Sequence, residues 1–308
     1  MASATSSKPQ VDLRGLLSAS RCGRYLVCCT LFLFLGFDQA WAQSTLWRSQ
    51  SPDKTLYLMG SIHVLQEGHY PLPAVMEEAF AQSDLIVFEM DQAEMESPAS
   101  QQLFSQKGLY QQGASLQQNI APATFQALAD HVARLQLPMA IFQPMRPAYC
   151  ALVITMMEFQ RLGFEPRYGL DHYFADKARR QGKETTALES AEFQINLFFN
   201  MTPQDQEKFL QQTLGELDTF AREAEAMSRA WAQGESSKLH ELLTASFSDF
   251  PGLYEKLIVK RNKRWLPEIE QLLEQHQTVL VVVGAGHLVG PHSLLKFLEK
   301  QGYTFSQL

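Results

Sequence analysis

The chain has 308 residues, 45% of them hydrophobic and 19% charged, which is enough for one large domain with a sizeable apolar core. Its 33 acidic residues outnumber its 26 basic ones, so the net charge at pH 7 is −7. This balance argues against a general nucleic-acid-binding protein, which needs a positive surface to contact phosphates.

The first 42 residues have the pattern of an export signal. Basic residues such as Arg21 and Arg24 precede an apolar run over residues 25–37, and Ala40-Trp41-Ala42 fits a small-x-small cleavage site. The apolar run is too short to cross a bilayer, which takes about 20 residues. We therefore expect a periplasmic or extracellular protein with no membrane span in its mature part.

The mature part would keep one cysteine, Cys150. An exported protein with a single cysteine has no internal disulfide, so its apolar core has to hold it together. Cys150 lies in the apolar helical segment Pro147–Val153. A buried, unreactive thiol is the expected outcome.

In chain order, the mature sequence opens with a predicted hairpin and a strand–helix–strand unit. Two short strands turn on Ser51-Pro52-Asp53-Lys54, and the second runs into Gly60-Ser61-Ile62-His63. A helix over residues 73–82 leads to the apolar strand 84–91, which closes with Glu89 and Asp91. Strand, helix and strand in this order favour a parallel pair.

The middle of the chain is predominantly helical. Residues 94–165 and 190–275 carry apolar side chains at three- and four-residue spacing, and a helix and a short strand over 185–189 lie between them. Strand signals return at Thr278–Val283, followed by a helix over 291–300 and a short strand over 303–306. We predict one α/β domain over 43–308, with a central, mostly parallel sheet built from both chain ends and a large helical insertion.

Four predicted strands end at imidazole or carboxylate side chains, namely His63, Glu89, Glu189 and His287. Because the carboxyl ends of parallel strands meet at one edge of a sheet, these side chains are expected to converge, with Glu89 on a strand beside that of His63. Imidazole and carboxylate are ligands of zinc, manganese, cobalt and iron. The alternative is two unrelated glycine-ended loops, each with a surface histidine.

Two other sequence features can be interpreted as either structural or functional. Arg261 and Asn262 lie in the basic segment Lys256–Arg264, which is a solvated helix face unless it points at the strand ends. In that case a fixed arginine would bind a carboxylate or a developing oxyanion. Asp171 stands at a predicted helix start, where helix capping is the structural alternative.

At these residues the sequence resembles the TraB/PrgY/GumN family, which is related to the Tiki proteases and more distantly to ChaN-like and erythromycin-esterase-like proteins. The matching segments span nearly all of the mature chain. They are Gly60-Ser61-Ile62-His63, Val87–Asp91, Arg146-Pro147, Gly169-Leu170-Asp171, Leu188-Glu189, Trp231, Arg261-Asn262 and Gly284–Leu288.

The resemblance implies a metal-dependent hydrolase, a peptidase that acts on peptide or protein substrates. It implies that His63, His287 and Glu89 hold a divalent transition metal such as manganese, cobalt or zinc. Such a metal binds a water molecule and makes it more acidic.

The resemblance also suggests roles for four further residues. Glu189 or Asp171 would take the proton of the attacking water as general base. Arg261 or Asn262 would stabilise the tetrahedral oxyanion.

A second hypothesis is a non-catalytic protein that sequesters a peptide or haem. Histidines, or Tyr168 or Tyr173, would then serve as axial ligands to haem iron.

Overall fold

The computed structural model describes residues 43–111, 113–248 and 251–308. The predicted export signal lies outside the described residues. Six strands of the described chain form one mixed sheet. They are β1 (Leu46–Gln50), β2 (Thr55–Ser61), β3 (Leu85–Met90), β4 (Glu184–Glu189), β5 (Thr278–Gly284) and β6 (Ser306–Gln307).

The sheet joins the two ends of the chain. Its strand order is β4-β3-β5-β2-β1-β6. The four strands from β4 to β2 are parallel, and β1 and β6 continue the sheet in antiparallel pairing. The fold class predicted from the sequence, α/β with a mostly parallel sheet built from both ends, is confirmed.

Helices cover both faces of the sheet and fill the connections. They are α1 (Ala74–Gln82), α2 (Gln92–Glu96), α3 (Pro98–Gly108), α4 (Leu116–Asn119), α5 (Pro122–Arg134), α6 (Pro147–Arg161), α7 (Leu170–Gln181), α8 (Ala191–Phe199), α9 (Pro203–Glu216), α10 (Phe220–Ala232), α11 (Ser236–Ser246), α12 (Pro251–Tyr254), α13 (Lys260–Gln275) and α14 (Leu294–Glu299). A π-helical turn, Glu255–Val259, precedes α13, and short 3-10 turns include Pro166–Tyr168 and Ala285–His287.

Alternate residues of the central strands pack into two separate cores. On one face Met59, Phe88 and Val282 pack with residues of α1, α7 and α10. On the other face Val281 and Val283 pack with α13 and α14. Period-two burial on both faces explains why the strand sequences are continuously apolar.

The helices between the strands have a core of their own. Residues of α4, α5, α6 and α9 form an apolar cluster that includes the fully buried Cys150. Burial raises the pKa of the Cys150 thiol to about 12, so the thiol is protonated and inert at neutral pH.

One predicted neighbour relation is wrong. Glu89 was expected on a strand beside that of His63, but β5 lies between β3 and β2. Residues 279–283 of β5 are all buried. The most continuously apolar strand therefore takes a place with a strand on each side and helices on both faces, and the β2–α1–β3 connection passes over it.

The last strand–helix–strand unit also differs from the predicted one. The helix begins at Leu294, because the Ser293 side chain caps it by accepting from the Lys296 N–H. The final strand is only Ser306–Gln307 and pairs antiparallel with β1 at the far edge of the sheet.

The start of α7 packs directly on the loop that follows β2. The Leu170 N–H donates to the Ile62 carbonyl over 3.1 Å. A Cβ atom on Gly169 would lie 2.3 Å from the His63 carbonyl oxygen, so only glycine allows this approach. The contact brings Asp171, in the first turn of α7, next to His63.

We therefore expect Gly169→Ala to lower the free energy of unfolding by about 1–3 kcal/mol, because the added methyl group meets backbone atoms that cannot move independently. Urea denaturation followed by circular dichroism measures the change.

Gly215→Ala is the matched control. Gly215 lies inside α9, and a Cβ atom there meets no neighbour within 4 Å. This exchange should leave stability unchanged or raise it by about 0.5–1 kcal/mol. Equal stability of the Gly169→Ala and wild-type proteins would contradict the close packing.

Candidate functional site

The carboxyl ends of the parallel strands bring three of the predicted residues to one place. A Cβ atom built on Gly284 would lie 3.2 Å from Glu89 Oε1, 3.7 Å from His287 Cδ2 and 3.8 Å from His63 Nε2. The three side chains thus surround the space that Gly284 leaves open, and the Gly284 N–H donates to Glu89 Oε1 over 2.6 Å. The 3-10 turn Ala285–His287 folds His287 back towards the end of β3.

Arg261 links the ends of three strands by hydrogen bonds. Its Nε and Nη2 groups donate to both oxygens of Glu189 at 2.8–3.1 Å, and Nη2 also donates to Glu89 over 2.6 Å. Its Nη1 group reaches the Leu257 carbonyl and His287 Nε2, each over 3.0 Å. Every nitrogen of the guanidinium is therefore engaged inside the protein.

Asn262 fixes the orientation of His287. The Asn262 amide NH2 donates to the carbonyls of His287 and His292, so its Oδ1 atom faces His287 Nδ1 as an acceptor, at 2.6 Å. Nδ1 consequently carries the proton, and Nε2 keeps a lone pair that accepts the Arg261 N–H. Asn262 is fully buried, and its hydrogen-bonding groups are all used.

Asp171 fixes the orientation of His63 in a similar way. Asp171 Oδ1 lies 3.0 Å from His63 Nδ1, and Oδ2 accepts from the Gln92 amide over 3.2 Å. Nδ1 is thus the nitrogen that donates, and Nε2 is the nitrogen that faces the strand ends. The side chain of His63 is 64% exposed, so its ring is in contact with the solvent.

The two imidazoles have pKa values shifted in opposite directions. The Asp171 carboxylate raises the pKa of His63, with water screening this exposed ring. Burial lowers the pKa of His287 to about 3, against the opposing charge of Glu89, so this imidazole is neutral at pH 7. For Glu89, burial alone would raise the pKa, but His287, Arg261, His63 and the Gly284 N–H together lower it, so the carboxylate is ionised.

Part of this site borders a cavity of about 360 Å³. Its lining includes His63, Glu89, Asp171, Gln92 and Gln194. The side chain of Glu189, in contrast, is 0% exposed. The Arg261 guanidinium, the Trp265 indole and the Gln194 amide all donate to its two oxygens, which leaves Glu189 no path to the cavity.

Two residues at the site escaped the sequence reasoning. Trp265 donates to Glu189 over 3.0 Å, and its ring lies 4.4 Å from that of His287. Gln194 donates to Glu189 over 3.2 Å and lies 3.5 Å from Glu89. Trp265 follows Arg261 by four residues on one helix, a spacing that could have indicated it; Gln194 has no comparable signal.

Comparisons with known proteins identify the family of the chain. The model of the TraB/PrgY/gumN family matches residues 45–307, almost the whole described chain. The chain belongs to the TraB/PrgY/gumN family. No solved structure matches the chain significantly.

Relatives of this TraB/PrgY/gumN chain fall into two groups. The uncharacterised protein YbaP of Escherichia coli is 25% identical over 80% of this chain and 89% of its own length. Two proteins of Danio rerio carry the names metalloprotease TIKI1 and metalloprotease TIKI2, and are 23% and 25% identical over 84% of this chain. The matches cover 62% and 60% of those two relatives.

The donor chemistry of this TraB/PrgY/gumN site fits a divalent metal. Two imidazoles have their Nδ1 atoms held by Asp171 and Asn262, which is the usual support of histidine ligands, and an ionised carboxylate lies between them. Within 43–111, 113–248 and 251–308, no three His, Cys, Asp or Glu side chains are already grouped closely enough to hold a metal ion. In this arrangement, His287 Nε2 and Glu89 Oε2 bind Arg261 instead.

In the same described part of this TraB/PrgY/gumN chain, no helix is long and apolar enough to span a bilayer.

The Arg261 network predicts a large loss of stability for Arg261→Met. The exchange leaves the carboxylates of Glu89 and Glu189 buried without their cation, which costs about 3–5 kcal/mol of unfolding free energy. Urea denaturation at pH 7 measures the loss.

Arg264→Met is the matched control, since Arg264 lies on the same helix, is exposed and stacks only on Phe193. Its effect should stay within about 0.5 kcal/mol. Adding Glu89→Gln and Glu189→Gln to Arg261→Met should restore part of the lost stability, because the buried charges are then gone. An Arg261→Met protein as stable as the Arg264→Met protein would rule out the central role of the network.

Proposed function

We propose that this protein is an exported metal-dependent hydrolase that cleaves peptide bonds. The observation that carries the proposal is the convergence of His63 Nε2, the His287 ring and Glu89 Oε1 around Gly284, beside an open cavity that His63 and Glu89 line. The names of the two Danio rerio relatives support the reaction class. The N-terminal sequence pattern supports export.

His63, His287 and Glu89 are the proposed metal ligands. Two imidazoles and one carboxylate are a ligand set of catalytic zinc, and also suit manganese and cobalt. His63, whose pKa is raised by Asp171, would give up a proton when it ligates. When bound, the ion supplies a water molecule of lowered pKa and polarises the substrate carbonyl. His63 presents Nε2 to the cavity, whereas His287 has to release the Arg261 N–H before its Nε2 can ligate.

Asp171 is the better candidate for the general base. Both Asp171 and Glu189 carry a carboxylate near the strand ends, but only Asp171 lines the cavity. It can orient His63 through one oxygen and accept a proton from cavity water. Glu189, enclosed by Arg261 and Trp265, serves to hold the guanidinium in place.

Arg261 and Asn262 are positioning residues in this proposal. One or the other was expected to stabilise an oxyanion, yet in this arrangement their N–H groups donate to Glu89, Glu189, His287 and backbone carbonyls. They set the tautomer of His287 and the rotamer of Glu89, which keeps the proposed ligands in a fixed geometry.

Haem binding has no observation in its favour among the described residues. Both ring nitrogens of His287 are hydrogen-bonded, to Asn262 and Arg261. The Tyr173 hydroxyl donates to the Glu77 carboxylate over 2.6 Å.

Purified protein should bind one Mn²⁺, Co²⁺ or Zn²⁺ ion and cleave members of a mixed peptide library when that metal is present. Isothermal titration and elemental analysis measure the metal, and mass spectrometry of the library measures cleavage. A chelator should abolish cleavage, and added metal should restore it. His63→Ala and Glu89→Gln should each weaken metal binding by at least roughly tenfold, because each removes one ligand of the set.

His276→Ala is the control for loss of a histidine, since His276 lies at the end of α13 and only its backbone carbonyl bonds Lys54. It should bind metal and cleave peptides like the wild type. Protein that binds none of the three ions and leaves the whole library intact would overturn the proposal.

A further inference from the structure

The outer edge of β4 is open. Strand β4 ends the sheet, next to β3. The Gly60 N–H donates to the Thr45 carbonyl and the Thr55 N–H to the Gln277 carbonyl, so residues 278, 280 and 282 of β5 turn their N–H and C=O groups towards β3. Ile86 pairs with Leu280 and therefore turns its own groups towards β4. Pairing of Ile86 with Thr185 then turns the N–H and C=O of Thr186 towards β3 and those of Thr185 outwards.

No hydrogen bond outside the sheet involves the backbone of residues 184–188 within the described part of the chain. Glu184, Thr185 and Thr186 are exposed. The edge lacks the usual protection by a covering helix or loop, although unpaired edge groups readily accept another strand.

A groove of about 930 Å³ follows this edge. Residues Thr185–Glu189 form its floor, Asp176 and Arg179 of α7 form one wall, and Arg264 and Glu268 of α13 form the other. Five strand residues extend over about 16 Å, which matches five residues of an extended peptide.

The groove leads into the cavity of the candidate site. Phe88, Gln92, Glu96 and His172 line both spaces. Strand β4 also runs towards the same sheet edge at which β3 presents Glu89. A chain lying along β4 therefore reaches Glu89 and then His63 by turning across the carboxyl ends of the strands.

We propose that the outer edge of β4 is the substrate-docking strand, to which an extended peptide adds as a seventh strand that passes its next residues into the cavity. The proposal rests on the proposed peptidase function and specifies the form of its substrate. An extended backbone repeats its outward N–H and C=O groups every two residues, which is the spacing that β4 offers. Globular or helical segments do not present that repeat.

The charge at the cavity end of the groove specifies the substrate further. Asp91, Glu94 and Glu96 line the groove there, and none of them forms a salt bridge with another described residue. A lysine or arginine side chain of the peptide would form salt bridges with these carboxylates. We therefore expect basic extended peptides to bind better than acidic ones.

The test measures binding of a fluorescein-labelled nonapeptide of alternating lysine and valine by fluorescence anisotropy. Protein carrying His63→Ala is used, so that no turnover interferes. Adding Thr185→Pro removes an outward N–H and should weaken binding by roughly tenfold, since a backbone hydrogen bond is lost and the ring obstructs pairing. Adding Thr185→Val instead keeps the N–H and should change binding by less than about twofold.

Two N-methylated peptides test the pairing without changing the protein. Methylation at every second residue blocks one edge of the peptide, and only one of the two alternating sets should abolish binding. Equal binding of both methylated peptides and the parent peptide, or unchanged binding by a folded Thr185→Pro protein, would overturn the docking strand. Cleavage and metal binding are measured separately, so the docking strand and the peptidase fail on different readouts.

Discussion

The buried cation of Arg261 holds together the edge of the sheet at which the candidate site lies. Arg261 reaches up from α13 and binds carboxylates at the ends of β3 and β4 and an imidazole at the end of β5. Burying a guanidinium costs several kcal/mol unless each of its N–H groups is bonded. Arg261, conversely, is one of the groups that lower the pKa of Glu89 against the effect of its burial, and it pairs with the buried carboxylate of Glu189.

The helical insertion is best understood from this network. Helix α13 arrives at the strand ends only after the chain has passed through α8 to α12, and it brings Arg261, Asn262 and Trp265 on consecutive turns. The same helix packs on the sheet through Ile269 and Leu273, so the apolar core sets how far the guanidinium reaches. Helix α7 supplies Asp171 from the opposite face, which places His63 between sheet and solvent.

The sequence reveals the strand ends but not their order. Apolar runs that close on histidine or glutamate predict the sheet, and the shared edge follows from parallel pairing alone. The position of β5 between β2 and β3 depends on the burial of both its faces. A local sequence pattern does not show which of several apolar strands is the most deeply buried. The inward orientation of Arg261 and the contact of Gln194 with Glu189 depend on tertiary packing. The sequence pattern of a helix is the same whether a polar residue on it faces water or a buried carboxylate.

The pairing of β2 with β5 has a consequence for synthesis. Residues near 60 meet residues near 284 along seven consecutive pairs, so the two histidines come together only after nearly all of the chain has been made. Contacts this distant in sequence form late and slowly. For the proposed hydrolase, such an order of assembly keeps the reactive groups apart on the ribosome, and the nascent protein has no working centre with which to damage itself or its neighbours.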